Sequence, residues 1–270
     1  MKYDTAFQFL DSLVVKGTEK SFFINCSAFQ PLKKERKWQI FLSNFEKNHQ
    51  LFQSKKNTQL ERLLKGGEYS DQEFRAKSGS YDVYGDTIQK IDKNNVKILK
   101  YIIDKYGFPN ENLIGRENPM EDDIPSFIVF LHQCQKMSKN KEDYDFTSIQ
   151  IEAVKKGELD PHYLAEWLSK QAKPENDLGG WGICQISTNR KKSPLVVDKT
   201  TQKQKNDINK RRLTLGLETL EEFNRKAVFT IKEKDKAKIF AFKRYSHLNL
   251  FELANPKDFD KILETMEPIE

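Results

Sequence analysis

The stretch IDKNNVKILKYIIDKYGFP, Ile91 to Pro109, decides the class of fold. Ile91, Ile98, Leu99, Ile102 and Ile103 recur at the steps that lay one apolar stripe along a helix. Gly107 stands where a helix C′ residue adopts a left-handed backbone, and Pro109 blocks continuation. The same periodicity predicts helices at Thr5–Lys16, through Phe7, Leu10 and Val14, and at Glu35–Asn48, through Trp38, Phe41, Leu42 and Phe45.

Downstream, IPSFIVFLHQCQK, Ile124 to Lys136, is the most apolar window of the chain. Asp122 or Asp123 suits its N-cap and Pro125 its first turn. With Phe127 at 0° and about 100° per residue, Phe127, Ile128, Phe130, Leu131, Cys134 and Met137 form an arc from about 280° to 100°. His132, near 140°, and Gln133, near 240°, then flank that arc at an edge that a ligand could reach.

Thr147 to Lys156, ending at Gly157, and the helix opened by Asp160-Pro161 read as an αα-hairpin, with Leu164, Trp167 and Leu168 buried. Pro174 to Asn206 loses all periodicity and exceeds the roughly 12 to 15 residues of an ordinary structureless loop, so it is expected to be functional or mobile. A short helix, Asp207 to Leu215, and a capping box, Thr219 with Glu222, follow. Ala227 to Phe242 reads as two short β-rich runs or as a helical extension, and Asn255 to Glu267 as a helix. The expected fold is mainly α, with a long irregular loop and a small β-hairpin near the C-terminus. Its expected divisions are a helical N-terminal segment, 1–58, a main helical domain, 59–226, and an extension, 227–270.

Composition bounds the function classes. Of 270 residues, 37% are hydrophobic and 32% charged, with 19 Phe and 9 Tyr, which is too aromatic for a disordered chain and too polar for a membrane protein. A soluble globular protein is expected. No apolar run approaches the ~18 residues of a membrane span. Cys26, Cys134 and Cys184 are odd in number and widely spaced, which supports neither a disulfide framework nor a zinc site and fits a reducing compartment such as the cytoplasm. Export remains open if a leader segment was removed. His49, His132, His162 and His247 include no close pair, so no metal site is expected, and no cofactor motif is present.

The net charge of +6 is concentrated between Ser187 and Arg212, where Arg190, Lys191, Lys192, Lys199, Lys203, Lys205, Lys210, Arg211 and Arg212 face only Asp198 and Asp207. Such a run can grip phosphates. Without interleaved aromatic side chains it is expected to be a solvated segment and not a specific nucleic-acid site.

The series SDQEFR, IDKNNVKILKYIIDKYGFP, Gly115, FLHQC, AVKKGELDPHYLAEWL, WGICQ and INKRRLTLGLETLEEF resembles a bacterial family of domains of unknown function, number 6624, over about residues 60–223. The segment before it looks like the end of a helical repeat. The resemblance implies no activity, but it implies a polar set: Asp71, Gln72, Arg75, Asp92, Asn95, His132 and Arg212, with Gln185. Three departures from the family pattern are Ser169-Lys170 in place of an Asp-Arg pair, WGICQ in place of Tyr-Gly-Thr-Gln, and the inverted order His132-Gln133.

Physically, Asp71 with Arg75 and Asp92 with Asn95 have the spacing that puts each pair on one helix face. A histidine held by such a carboxylate has one tautomer and can act as general acid or base. The expected site is therefore a crevice where His132, Asp71, Arg75, Asp92 and Arg212 converge, closed over by the 174–206 loop. Asn95, Gln133, Trp181, Gln185 and Arg212 are the expected ligand-binding residues. Two functions follow: a hydrolase or transferase acting on a small molecule, or a regulatory or immunity-type module that binds another protein. Nucleic-acid contact through the basic segment is a third and weaker reading.

Overall fold

Helix periodicity sets most of the architecture, because each amphipathic stripe must find an apolar neighbour. The computed structural model describes residues 3–116, 124, 126–139, 144–171, 173, 176–179, 183–189, 191–233, 249–253, 255 and 257–269. The chain divides into two units, Met1–Leu159 and Asp160–Glu270. This division falls inside the span 59–226.

In the first unit, helices α1 (Asp4–Val14), α2 (Lys20–Asn25), α3 (Gln30–Lys33) and α4 (Arg36–Gln53) enclose Phe7, Leu10, Val14, Phe23, Trp38, Phe41 and Phe45. Phe23 meets Phe41 and Phe45 edge-on at 5.1 and 6.0 Å, a geometry that satisfies the ring quadrupoles as well as burying area. Next come α5 (Thr58–Glu73), α6 (Ser80–Tyr106), α7 (Glu111–Ile114), α8 (Phe127–Lys139) and α9 (Thr147–Lys155). Helices α5, α6 and α8 pack pairwise over Leu60, Leu64, Ile88, Leu99, Ile102 and Phe130, all buried. Helix α6 runs 27 residues, about 40 Å, and begins well before the expected Ile91. It stops at Gly107, whose φ of 80° favours glycine, although its ψ of −169° is extended and not left-handed helical as expected.

The second unit opens with α10 (Pro161–Ser169), N-capped by Asp160, whose side chain accepts from the His162 amide. Strands β1 (Cys184–Ser187) and β2 (Val196–Asp198) follow, then α11 (Gln202–Thr214) and α12 (Leu220–Lys232), each started by a capping box. Strand β3 (Asn249–Glu252), α13 (Asp258–Leu263) and β4 (Met266–Pro268) complete it. The sheet order is β3-β1-β2-β4; β3 pairs with β1 in parallel and the other two pairings are antiparallel. Cys184, Ile186 and Val196 pack with Phe259 under it.

The fold is mainly α with a small sheet near the C-terminus. Three local expectations are corrected. The 174–206 stretch is not structureless, because β1, β2 and the first turn of α11 lie in it; strands of three or four residues are too short to show a period. Over Ala227–Lys232 the helical extension holds and not the hairpin, since these residues continue α12; residues 234–248 lie outside the described set. The helix expected over 255–267 is confined to Asp258–Leu263, and Met266–Pro268 pairs with β2 instead. No helix among the described residues is long and apolar enough to cross a membrane.

Candidate functional site

The polar residues of α5, α6 and α8 meet in one seam of the first unit. Asp71, on the last turns of α5, is 2% exposed. A carboxylate buried to that degree must be paired or neutralised. Its Oδ2 lies 2.7 Å from His132 Nδ1 and 2.7 Å from Gln72 Nε2, which donates to it. Its Oδ1 lies 3.2 Å from Arg75 Nη1.

Arg75 follows the end of α5 and folds back. Its Nη1 donates to the Asp71 carbonyl at 2.6 Å, taking up an acceptor that the helix end leaves unused. Nη2 donates to Asp92 Oδ1 on α6 at 2.8 Å, and Nε to the Tyr81 hydroxyl at 3.0 Å. Burial works against the guanidinium charge, but the hydrogen bonds to Asp92 and Tyr81 and the charges of Asp71 and Asp92 outweigh it and hold its pKa above the ordinary arginine value. Asp92 is 7% exposed; its Oδ2 stands 4.0 Å from Lys136 Nζ of α8. The seam thus alternates basic and acidic side chains: His132, Asp71, Arg75, Asp92, Lys136.

His132 is the open end. Its side chain is 15% exposed, and Nε2 has no hydrogen-bond partner among the described residues. With an acceptor against Nδ1, the favoured neutral tautomer carries its proton there and presents a bare Nε2 lone pair. That is the arrangement of a positioned base, with the carboxylate fixing the ring and stabilising its charged form.

Other expected members do different work. Asn95, buried on α6, donates from Nδ2 to the Gly67 carbonyl at 3.1 Å and accepts from the Ser70 hydroxyl at 3.2 Å, so it clips α6 to α5. Gln133 is not at an open edge. It is 3% exposed and donates to the Tyr144 carbonyl at 2.8 Å. The reason is the helix phase: Val129, Phe130, Gln133, Cys134 and Met137 are the buried residues, an arc from about 200° to 340° with Gln133 inside it. Arg212 is also corrected. It is 1% exposed in the second unit, where it donates to the Glu218 and Leu178 carbonyls at 2.5 and 2.8 Å and lies over Phe223. Gln185, on β1, donates to the Ser193 carbonyl at 3.0 Å. Trp181 lies outside the described residues. Two seam members escaped sequence reading, Tyr81 and Lys136; the second stands four residues after His132, a spacing that could have revealed it.

Part of the basic segment is paired within its own unit. Lys191 pairs with Asp260 at 3.3 Å and Lys205 with Glu267 at 2.7 Å, while Lys199 donates to the Glu264 carbonyl and Arg211 to that of Asp177. A cleft of about 560 Å³ in the second unit runs past Lys170, Lys173, Asp198 and Lys205. Among the described residues no group of three His, Cys, Asp or Glu side chains could hold a metal ion.

Comparison with known proteins adds no relative: no family model, no curated protein and no solved structure matches this chain.

Proposed function

We propose that the seam is a general acid–base site of hydrolase or transferase type, with His132 as the proton-transferring group and Asp71 as its orienting carboxylate. Arg75 is a positioning residue in this reading, since its contacts to Asp71, Asp92 and Tyr81 leave it a poor anion binder. The observation that carries the reading is the 2.7 Å contact of His132 Nδ1 with a buried carboxylate while Nε2 has no hydrogen-bond partner among the described residues. A fully buried structural histidine would be expected to use both nitrogens. No side-chain nucleophile is invoked; an activated water or a substrate hydroxyl fills that role.

The non-catalytic module remains a second reading, favoured by Tyr69, Tyr81 and Val83, which are 72%, 60% and 66% exposed where α5 gives way to α6. The ion pairs of Lys191 with Asp260 and of Lys205 with Glu267 occupy only part of the basic segment; its lack of interleaved aromatic side chains argues against specific nucleic-acid binding.

The test is turnover of chromogenic carboxylic esters and phosphodiesters by the wild-type chain, H132Q and D71N. Loss of about 10²- to 10⁴-fold in H132Q, with folding intact, is expected for an acid–base group. Equal rates in wild type and H132Q, or no turnover of any substrate, would count against the reading.

A further inference from the structure

Resting on the acid–base reading of His132, we infer that the site takes a substrate carrying a single negative charge, a carboxylate or a phosphodiester, held by Lys136. Lys136 follows His132 by four residues on α8, so the two side chains stand on one face about 5 to 6 Å apart at their Cβ atoms. Both are partly open, at 15% exposure for the histidine and 26% for the lysine. Neither functional tip makes a hydrogen bond to a described residue. Nε2 of His132 has no partner among the described residues, and Lys136 Nζ, 4.0 Å from Asp92, is beyond hydrogen-bond distance of it.

The other cation of the seam cannot do this. Arg75 is 10% exposed and spends its donors on the Asp71 carbonyl, Asp92 and Tyr81. Charge then selects the ligand. Asp71 and Asp92 are balanced by Arg75 and Lys136, so the seam is neutral with neutral His132. One added negative charge can share Lys136, whereas a dianion would face Asp92 across the same ammonium. A monoanionic substrate anchored there sets a bond one helical turn away beside Nε2.

Acetate and dimethyl phosphate, titrated against the full chain at constant ionic strength, test this through the His132 ring protons and the Lys136 side chain by NMR. Acetamide is the neutral control. Both anions are expected to give saturable shifts that acetamide does not. K136Q should weaken them about tenfold or more, the worth of a charged hydrogen bond, while K136R retains them. No anion response, an equal response to acetamide, or unchanged affinity in K136Q would overturn the inference. The same spectra report the ring tautomer. A proton on Nε2 instead of Nδ1 would sink the acid–base reading itself, whereas the expected tautomer with no anion response would sink only the anchor.

Discussion

Each unit holds an arginine, a histidine and carboxylates in close array, yet the two arrays are finished differently. In the second unit, His162 has Nδ1 at 3.0 Å from Asp160 and Nε2 at 3.1 Å from Glu218. Glu218 also pairs with Lys226 at 3.0 Å, and Arg212 grips backbone carbonyls. Each side chain there is partnered within the unit, as in a tie that holds α10, α11 and α12 together. In the first unit the array ends in His132 with one nitrogen committed and one available. Saturation separates a structural cluster from one that can meet a ligand, and residue composition alone does not show it.

The largest effect should come from Arg75. R75A leaves Asp71 and Asp92 buried without their shared cation, and a loss of about 3 to 5 kcal/mol is expected, read by denaturant unfolding with hydrogen exchange assigning the loss to the first unit. R212A should cost less, about 2 to 3 kcal/mol, since Glu218, 3.6 Å from Arg212 Nη2, keeps His162 and Lys226, and most of the loss is of hydrogen bonds to carbonyls. A reversed order would break the contrast between the arrays.

The histidines sharpen it further. H162Q can satisfy one of two carboxylates and should cost about 1 to 2 kcal/mol, whereas H132Q can still donate to Asp71 and should cost less than about 1 kcal/mol. Equal and large costs would make His132 another tie. N95A is expected to remove about 1 kcal/mol by unclipping α6 from α5, without altering the tautomer of the His132 ring.

The smallest effect concerns pH. Glu61 is held below the usual glutamate pKa: burial opposes this, but Lys65 and Lys56, each at 2.9 Å, outweigh it. A lowered folded-state pKa means that its contribution is present above the unfolded value, about 4.3, and is lost as pH falls through the folded one. Between about pH 5 and 3, wild type should therefore lose slightly more first-unit stability than E61Q, and a steeper loss in E61Q would contradict the assignment.

Much of this was legible in the sequence where a long period or a strong terminator wrote it. Gly107, the Asp160-Pro161 start and the Thr219 capping box are local signals, and they sit where they were expected. Strands β1, β2 and β4 were not legible, because three or four residues give no period and their pairing joins distant segments. The Asp71–Arg75 and Asp92 spacing pointed at the seam. The phase of α8 did not: its burial is set by α5, α6 and Tyr144, and this rotates the buried arc onto Gln133. Arg212 was drawn into the site by its charge and its place in the series, yet the Leu178 and Glu218 carbonyls that hold it are tertiary partners.

The central claim, that His132 is an oriented base and not a tie, is tested most directly by long-range ¹H–¹⁵N NMR of its ring at about pH 8.5, where an ordinary histidine is neutral. The account predicts the proton on Nδ1, an unprotonated Nε2, and loss of that single tautomer in D71N. A ring protonated at Nε2, or one whose tautomer is unchanged in D71N, would contradict it.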